Sequence, residues 1–374
     1  MARRARFATV AALAALNLAG CASVIVRPTS TSSTLPTPSV LPSASPSPTP
    51  RPPSDWPVVY TTANYGQQLD AVTWYGTPAG AINLPAGSDP FPMPSPDGRR
   101  ILDWPRVISP EGTIIATIDI GSNLLRDVAW SASGDQLCII TSTSNQGPDG
   151  GALRIDTDTP GSPVHFVGTV SVFAGGPSIA ACDPATNRIV ILNVFHEHEG
   201  GGGAAFSAVL ATWVFSVATG RVVYHASYPG TNSSLSATQV VASPTGRYLA
   251  VSRDEHTDVR DATSGQLVGT VAGSMPLGFS GDADASLLAV IAAHGNGPVV
   301  WVWSKEHVLW ASSQAAQWSF PDPGVAEVLV GVVHANEGFN DMIAVTASGR
   351  TVTLGLNVTL LFPCPCPVGA GLAY

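Results

Sequence analysis

From about residue 57 to 363, apolar residues fall in short runs of Val, Ile, Leu, Thr, Trp and Tyr. Gly, Pro, Asn and Asp break these runs, and no long amphipathic helical period appears. Runs of this length bounded by turn formers predict strands, so the body is expected to be all-β. One unit recurs: a short strand, a Ser-Pro-x-Gly-like turn, then an apolar strand. The clearest copies are Ser95-Pro96-Asp97-Gly98 before Ile101-Leu102, and Ser243-Pro244-Thr245-Gly246 before Tyr248-Leu249-Ala250-Val251. Looser copies start at Ser131, Asp183, Phe279 and Phe320. Pro presets φ at the second turn position and Gly accepts positive φ later, so each copy predicts a hairpin turn.

A second hairpin follows in most units, as in Val217–Val223, Val259–Leu267 and Val300–Trp310. Two hairpins make a four-stranded antiparallel sheet, which cannot bury both faces alone. Such sheets must stack, and radial stacking gives a β-propeller. Over about 300 residues the pattern resembles the WD-repeat and related bacterial propeller families, although the Gly-His and Trp-Asp pairs are missing. The second hairpins also resemble quinoprotein-type repeats, as in the outer-membrane assembly lipoprotein propeller. Six full units are expected to start near residues 90, 126, 176, 237, 275 and 316. Val58–Thr61, Asp70–Tyr75 and Ala81–Leu84 supply only three strands before them, and Val358–Phe362 is left over after them. The expectation is that this last strand completes the first sheet and closes a seven-bladed propeller, with about 44 residues per blade.

The N-terminus follows another pattern. Arg3, Arg4 and Arg6 precede an apolar run from Phe7 to about Leu16, which ends at Leu18-Ala19-Gly20-Cys21. A charged start, a short apolar core and small residues before a cleavage point make a secretory signal over residues 1–20. The run is shorter than the ~20 residues a transmembrane helix needs. The last four residues resemble the lipobox of bacterial lipoproteins. That resemblance implies acylation of Cys21, palmitate included, and anchoring to the cell membrane on its extracytoplasmic side. An ordinary secretory signal with an incidental Cys is the alternative, and the export route, general or twin-arginine, stays open. From Pro28 to Ser54, 22 of 27 residues are Pro, Ser or Thr. Such a segment cannot form a core and favours extended polyproline II. Residues 21–55 are therefore expected to be a disordered spacer, of which Pro28–Ser54 alone reaches roughly 80 Å at ~3.1 Å per residue. The propeller is assigned to 56–363 and a tail to 364–374.

Charge narrows the partners. The formal net charge is −9 and Lys305 is the sole lysine. An acidic body without a basic stripe argues against nucleic acid. Charged residues are 11% of the chain, well below the usual ~25%, so the surface must be rich in Ser, Thr, Asn and Gly. Of the remaining cysteines, Cys138 and Cys182 lie in apolar runs of neighbouring repeats. They read as buried small residues, with a disulfide between them left open in an oxidising compartment. Cys364 and Cys366 flank a single Pro, which is poor zinc spacing.

Candidate chemistry concentrates in the loops joining second to third strands. These hold His196, Glu197, His198 and Glu199 beside Gly200–Gly203, then His256, His294 and His334, five of the eight histidines. Imidazole with carboxylate suits zinc or a similar divalent metal, with His196 and His198 as ligands. The plainer reading is that loops collect polar residues. Trp301, Trp303 and Trp310 read either as packing between sheets or as a sugar platform. No G-x-S-x-G elbow, H-E-x-x-H helix or phosphate loop is present. The expected function is a non-catalytic scaffold that binds a protein or a cell-envelope component. The alternative is a cofactor- or metal-dependent propeller enzyme, quinoprotein-like or glycan-acting. Fold analogy carries both.

Overall fold

The computed structural model describes residues 59–362 apart from 64–67, 73–77, 86–91, 98, 144–151, 173–175, 198–205, 229–237, 296, 322–323, 334–339 and 359–360. The described residues all belong to one compact unit, Arg51–Tyr374. Residues 1–50, with the predicted signal, Cys21 and most of the spacer, lie outside the described residues. So do Cys364 and Cys366. Among the described residues every long element is a strand, and none is an α-helix. No helix there is long and apolar enough to cross a membrane.

Six sheets each use four consecutive antiparallel strands. Sheet B begins at Met93–Pro94, sheet C at Leu124–Trp130, sheet D at Gly176–Asp183, sheet E at Val240–Ala242, sheet F at Met275–Phe279 and sheet G at Ala316–Pro321. These starts match the repeat starts predicted from the turns to within a few residues. A further four-stranded sheet, A, sets Leu361–Phe362 beside Val59–Ala63, followed by Gln68–Val72 and Pro78–Asn83. Its strands are displaced by one to three residues from those predicted. Val358 ends the last strand of sheet G, Thr351–Val358, instead of starting a separate one. Tyr60 pairs with Phe362, and Thr61 with Leu361.

Unbroken apolar runs in the second strands have a direct cause. Each such strand is covered on both faces, so alternation sends neighbouring residues into two different layers. In Leu137–Ser142 every residue is buried. Leu137 and Ile139 join the core between sheets B and C, while Cys138 and Ile140 join the core between C and D. The next sheet repeats the rule, with Ile189 and Ile191 facing C, and Val190 and Leu192 facing E. Leu288 and Val290 face sheet E, and Leu287 and Ala289 face sheet G. Each fully buried Ile or Leu contributes on the order of 1.5–3 kcal/mol. First strands of consecutive sheets from C to G also touch one another, so the sheets fan out from their first strands. The architecture is propeller-like.

The turns carry a polar device that the sequence pattern only hinted at. The serines opening the first hairpins of sheets B, C, E and F, namely Ser95, Ser131, Ser243 and Ser280, are all buried. Each hydroxyl oxygen accepts a backbone N–H at or just before the start of the second strand: Arg100, Gln136, Tyr248 and Leu287. Burial leaves that N–H no water, so the hydroxyl replaces it. In sheet D, Asp183 caps a 3-10 turn, Pro184–Thr186, and Asn187 takes the left-handed conformation that ends it. Neighbouring turns are also stitched together, since Arg100 donates to the Gly134 carbonyl and Thr186 to the Thr245 carbonyl.

Two open questions resolve here. Cys138 and Cys182 form a disulfide that joins sheet C to sheet D. The tryptophans pack between sheets: Trp301 and Trp303 lie in the E–F layer and Trp310 in the F–G layer. Trp303 opens the 3-10 turn, Trp303–Lys305, that joins the two strands of the predicted hairpin. Its indole N–H donates to the Ala285 carbonyl at 2.6 Å, and its ring meets Tyr248 edge-on at 5.0 Å.

Candidate functional site

The predicted histidine loops do occupy equivalent positions, each joining the second strand of its sheet to the third. His196 and Glu197 end the strand Arg188–Glu197, and their side chains lie outside what the structure describes. His198, Glu199, Gly200–Gly203 and His334 are also outside the described residues. His256 is placed, and it joins an ion cluster. Its Nε2 lies 3.5 Å from Asp258 Oδ1, while Asp258 Oδ2 takes Arg260 at 2.7 Å and Arg253 at 3.5 Å. His294 sits in the turn after Ile291. Among the described residues, no three His, Cys, Asp or Glu side chains are placed to hold a metal ion.

A different site stands out, a cleft of about 430 Å³ between the outer parts of sheets B and C. Its floor comes from one strand, Ala152–Asp158, in which alternation puts Arg154, Asp156 and Asp158 on one side and Leu153 and Ile155 on the other. The second pair belongs to the C–D core. The first three are left without an apolar cover because sheet B is short. Its strands run two to four residues, whereas those of sheet C run six or seven. The chain passing from sheet B to sheet C forms the opposite wall with Thr117, Asp119 and Asn123, and Ser162 stands at the turn after the floor strand.

The three floor charges differ. Arg154 Nε donates to both oxygens of Asp156 at 2.8 Å, and the guanidinium lies 4.8 Å above the Phe166 ring. Asp156 is thereby balanced. Asp158 is only 3% exposed, yet its Oδ1 has no hydrogen-bond partner among the described residues. Burial pushes the Asp158 carboxyl above its ordinary range, because a charge without water or partner is costly. Asp119 at the exposed mouth accepts the Gly121 N–H at 2.8 Å. The sequence did contain a signal for this site. Three charged residues at alternate positions in one strand are conspicuous in a chain that is 11% charged.

Asp127, on the first strand of sheet C, is a second unusual acid. Its Oδ2 accepts the Ile179 N–H of sheet D at 2.6 Å, and its Oδ1 accepts the Val128 N–H at 2.9 Å. Some of its surface still reaches solvent, but burial outweighs both donors and pushes the carboxyl up to about 7. The folded protein then keeps a proton that the unfolded chain releases near pH 4. Stability is therefore expected to fall as pH rises from about 4 to about 7 and to level off above that. Asp127→Asn should remove this contribution, so urea midpoints of the variant should drop less than those of the parent between pH 5 and pH 8. Parallel pH profiles for the two proteins would refute it.

No protein-family model matches the chain, and no curated protein does. Among solved structures it is similar to one titled "KlHsv2 with loop 6CD replaced by a Gly-Ser linker", with 14% sequence identity. The match covers 77% of this chain and 92% of that one, at a TM-score of 0.40. The propeller-like, all-β class rests on the sheets themselves.

Proposed function

We propose that the chain is a lipoprotein held on the outer side of a cell membrane through Cys21, whose body is a closed seven-bladed propeller of the WD-repeat-like or quinoprotein-like kind. It serves as a non-catalytic scaffold for a protein or cell-envelope partner. The lipobox-like Leu18–Cys21 and the Pro/Ser/Thr spacer support the anchor. The Cys138–Cys182 disulfide is consistent with an oxidising compartment.

One observation carries the scaffold role. Fourth strands of five sheets expose large apolar side chains within their first three residues. These are Ile114 and Ile115, Phe166, Val222 and Val223, Leu267 and Val268, and Val308, between 40% and 54% exposed. Two adjacent strand residues point to opposite faces, so a pair exposed together marks an edge strand that the neighbouring sheet does not cover. Apolar surface repeated along uncovered edges favours association. Val222→Glu/Val223→Glu combined with Leu267→Glu/Val268→Glu should leave the fold intact and abolish crosslinking to a partner in native membranes. Cys21→Ser should shift the protein to the soluble fraction. A crosslinking pattern unchanged by the four glutamates would sink the scaffold reading.

A further inference from the structure

The cleft between sheets B and C lies beside the uncovered edges of those sheets, since Phe166 meets Arg154 of its floor, but the scaffold reading does not use its polar lining. Three features define what it can take. The buried Asp158 presents an acceptor atom that the described residues leave unpaired. Such an atom costs free energy unless a ligand donates to it. The charge balance is negative, since Arg154 is committed to Asp156, which leaves Asp158 on the floor and Asp119 at the mouth without an opposing cation among the lining residues. Among the described residues no aromatic ring lines the cleft, and the nearby Phe166 meets the Arg154 guanidinium.

These features discriminate between ligand classes. A metal ion needs a set of oxygen or nitrogen ligands converging on one point, and the described residues provide no such set of three acidic, His or Cys side chains. A neutral sugar ring is usually held against an apolar or aromatic wall, and this lining is mostly polar. An anion would meet two uncompensated carboxylates. A positively charged donor answers both the unpaired oxygen and the charge balance. A cleft of this volume holds a small organic molecule or one long side chain.

We propose that the cleft binds an ammonium group carrying N–H donors, with Asp158 as its acceptor on the floor and Asp119 contributing charge at the mouth. The group could be carried by a free amine, a lysyl side chain or an amino sugar, which share this chemistry. The test is calorimetry on the full-length protein with three amine probes: 1,5-diaminopentane, N-acetyl-lysine amide and glucosamine. Pentane-1,5-diol serves as a neutral isostere, tetramethylammonium as a cation without donors, and calcium as the metal control.

At least one amine is expected to bind, and its preference over the other two identifies the source. The diol and tetramethylammonium should give no saturable heat. Asp158→Asn should weaken the amine by roughly tenfold or more, the size of a lost charge-assisted hydrogen bond. Asp284→Asn, a surface change far from the cleft in sequence and 82% exposed, should bind as the parent does. If Asp158→Asn fails to fold, Asp119→Asn at the exposed mouth should still weaken the amine several-fold. Absence of saturable binding by all three amines, equal binding by the diol, saturation by calcium without any amine, or unchanged affinity in a folded Asp158→Asn would each overturn the proposal.

Discussion

Replacing Cys138 and Cys182 together by alanine is expected to lower stability by about 4 kcal/mol. The bridge spans 44 residues, and closing a loop of that length removes unfolded-state entropy worth roughly this amount at 25 °C. The native state adds to the effect. Both sulfurs sit in the C–D core, at 0% and 1% exposure, so truncation to alanine also leaves a gap where close packing existed. A urea or guanidinium titration should show a lower midpoint for the double variant and a steeper slope, because the unfolded chain without the bridge is less compact and exposes more surface. Each single alanine variant also loses the bridge and should show most of the same loss, with the remaining buried thiol filling part of the gap. A midpoint equal to that of the parent would show that sheets C and D hold together without the bridge.

That disulfide also marks where sequence pattern stops being informative. Cys138 and Cys182 stand out as buried residues of neighbouring repeats, but apolar alternation gives no hint that they face the same layer. Cys138 sits on a second strand and Cys182 on a first strand. Whether those positions meet depends on how one sheet is set against the next. The sheets themselves were far more legible. Ser-Pro and Asp-Pro turns punctuate the chain where backbone geometry demands them, so strand starts such as Gly176, Met275 and Ala316 follow from local chemistry. The second strands reveal two-sided burial through runs such as Leu287–Ile291, which is buried throughout.

The site was less legible for the opposite reason. His196, His256 and His294 look related because their loops are topologically equivalent, yet equivalence says nothing of distance. His256 instead turns to Asp258 within its own hairpin. Arg154, Asp156 and Asp158 form a cleft only because the sheet beside them is short. That shortness resides in residues 93–117, more than 30 positions earlier in the chain. A polar face on a strand becomes a site when its neighbour fails to cover it, and no local pattern records that failure.

Deleting residues 359–374 is expected to lower the thermal midpoint by about 3–5 °C and to split a single unfolding transition into two. The deletion leaves sheet G whole, because its last strand ends at Val358. It removes Leu361–Phe362, which pairs with Val59–Ala63. In the order of sheet A this strand takes the place that the first strand holds in every other sheet, and from sheet C to sheet G first strands touch one another. Its loss therefore removes two ladder pairs directly, on the order of 2–3 kcal/mol. For a body of this size that corresponds to a shift of several degrees. On the proposed seven-bladed reading it also opens a closed array. In a stack stabilised by neighbour contacts, an open end frays before the rest melts. Hydrogen exchange should report this locally, with protection lost at Val59–Ala63 and retained in the buried strand Leu137–Ser142. A peptide covering residues 359–374, added in trans, should restore part of the protection by pairing with the vacated edge. A truncated protein with the parent's midpoint and a single transition would mean that the sheets are held without closure, and the seven-bladed reading would fall with it.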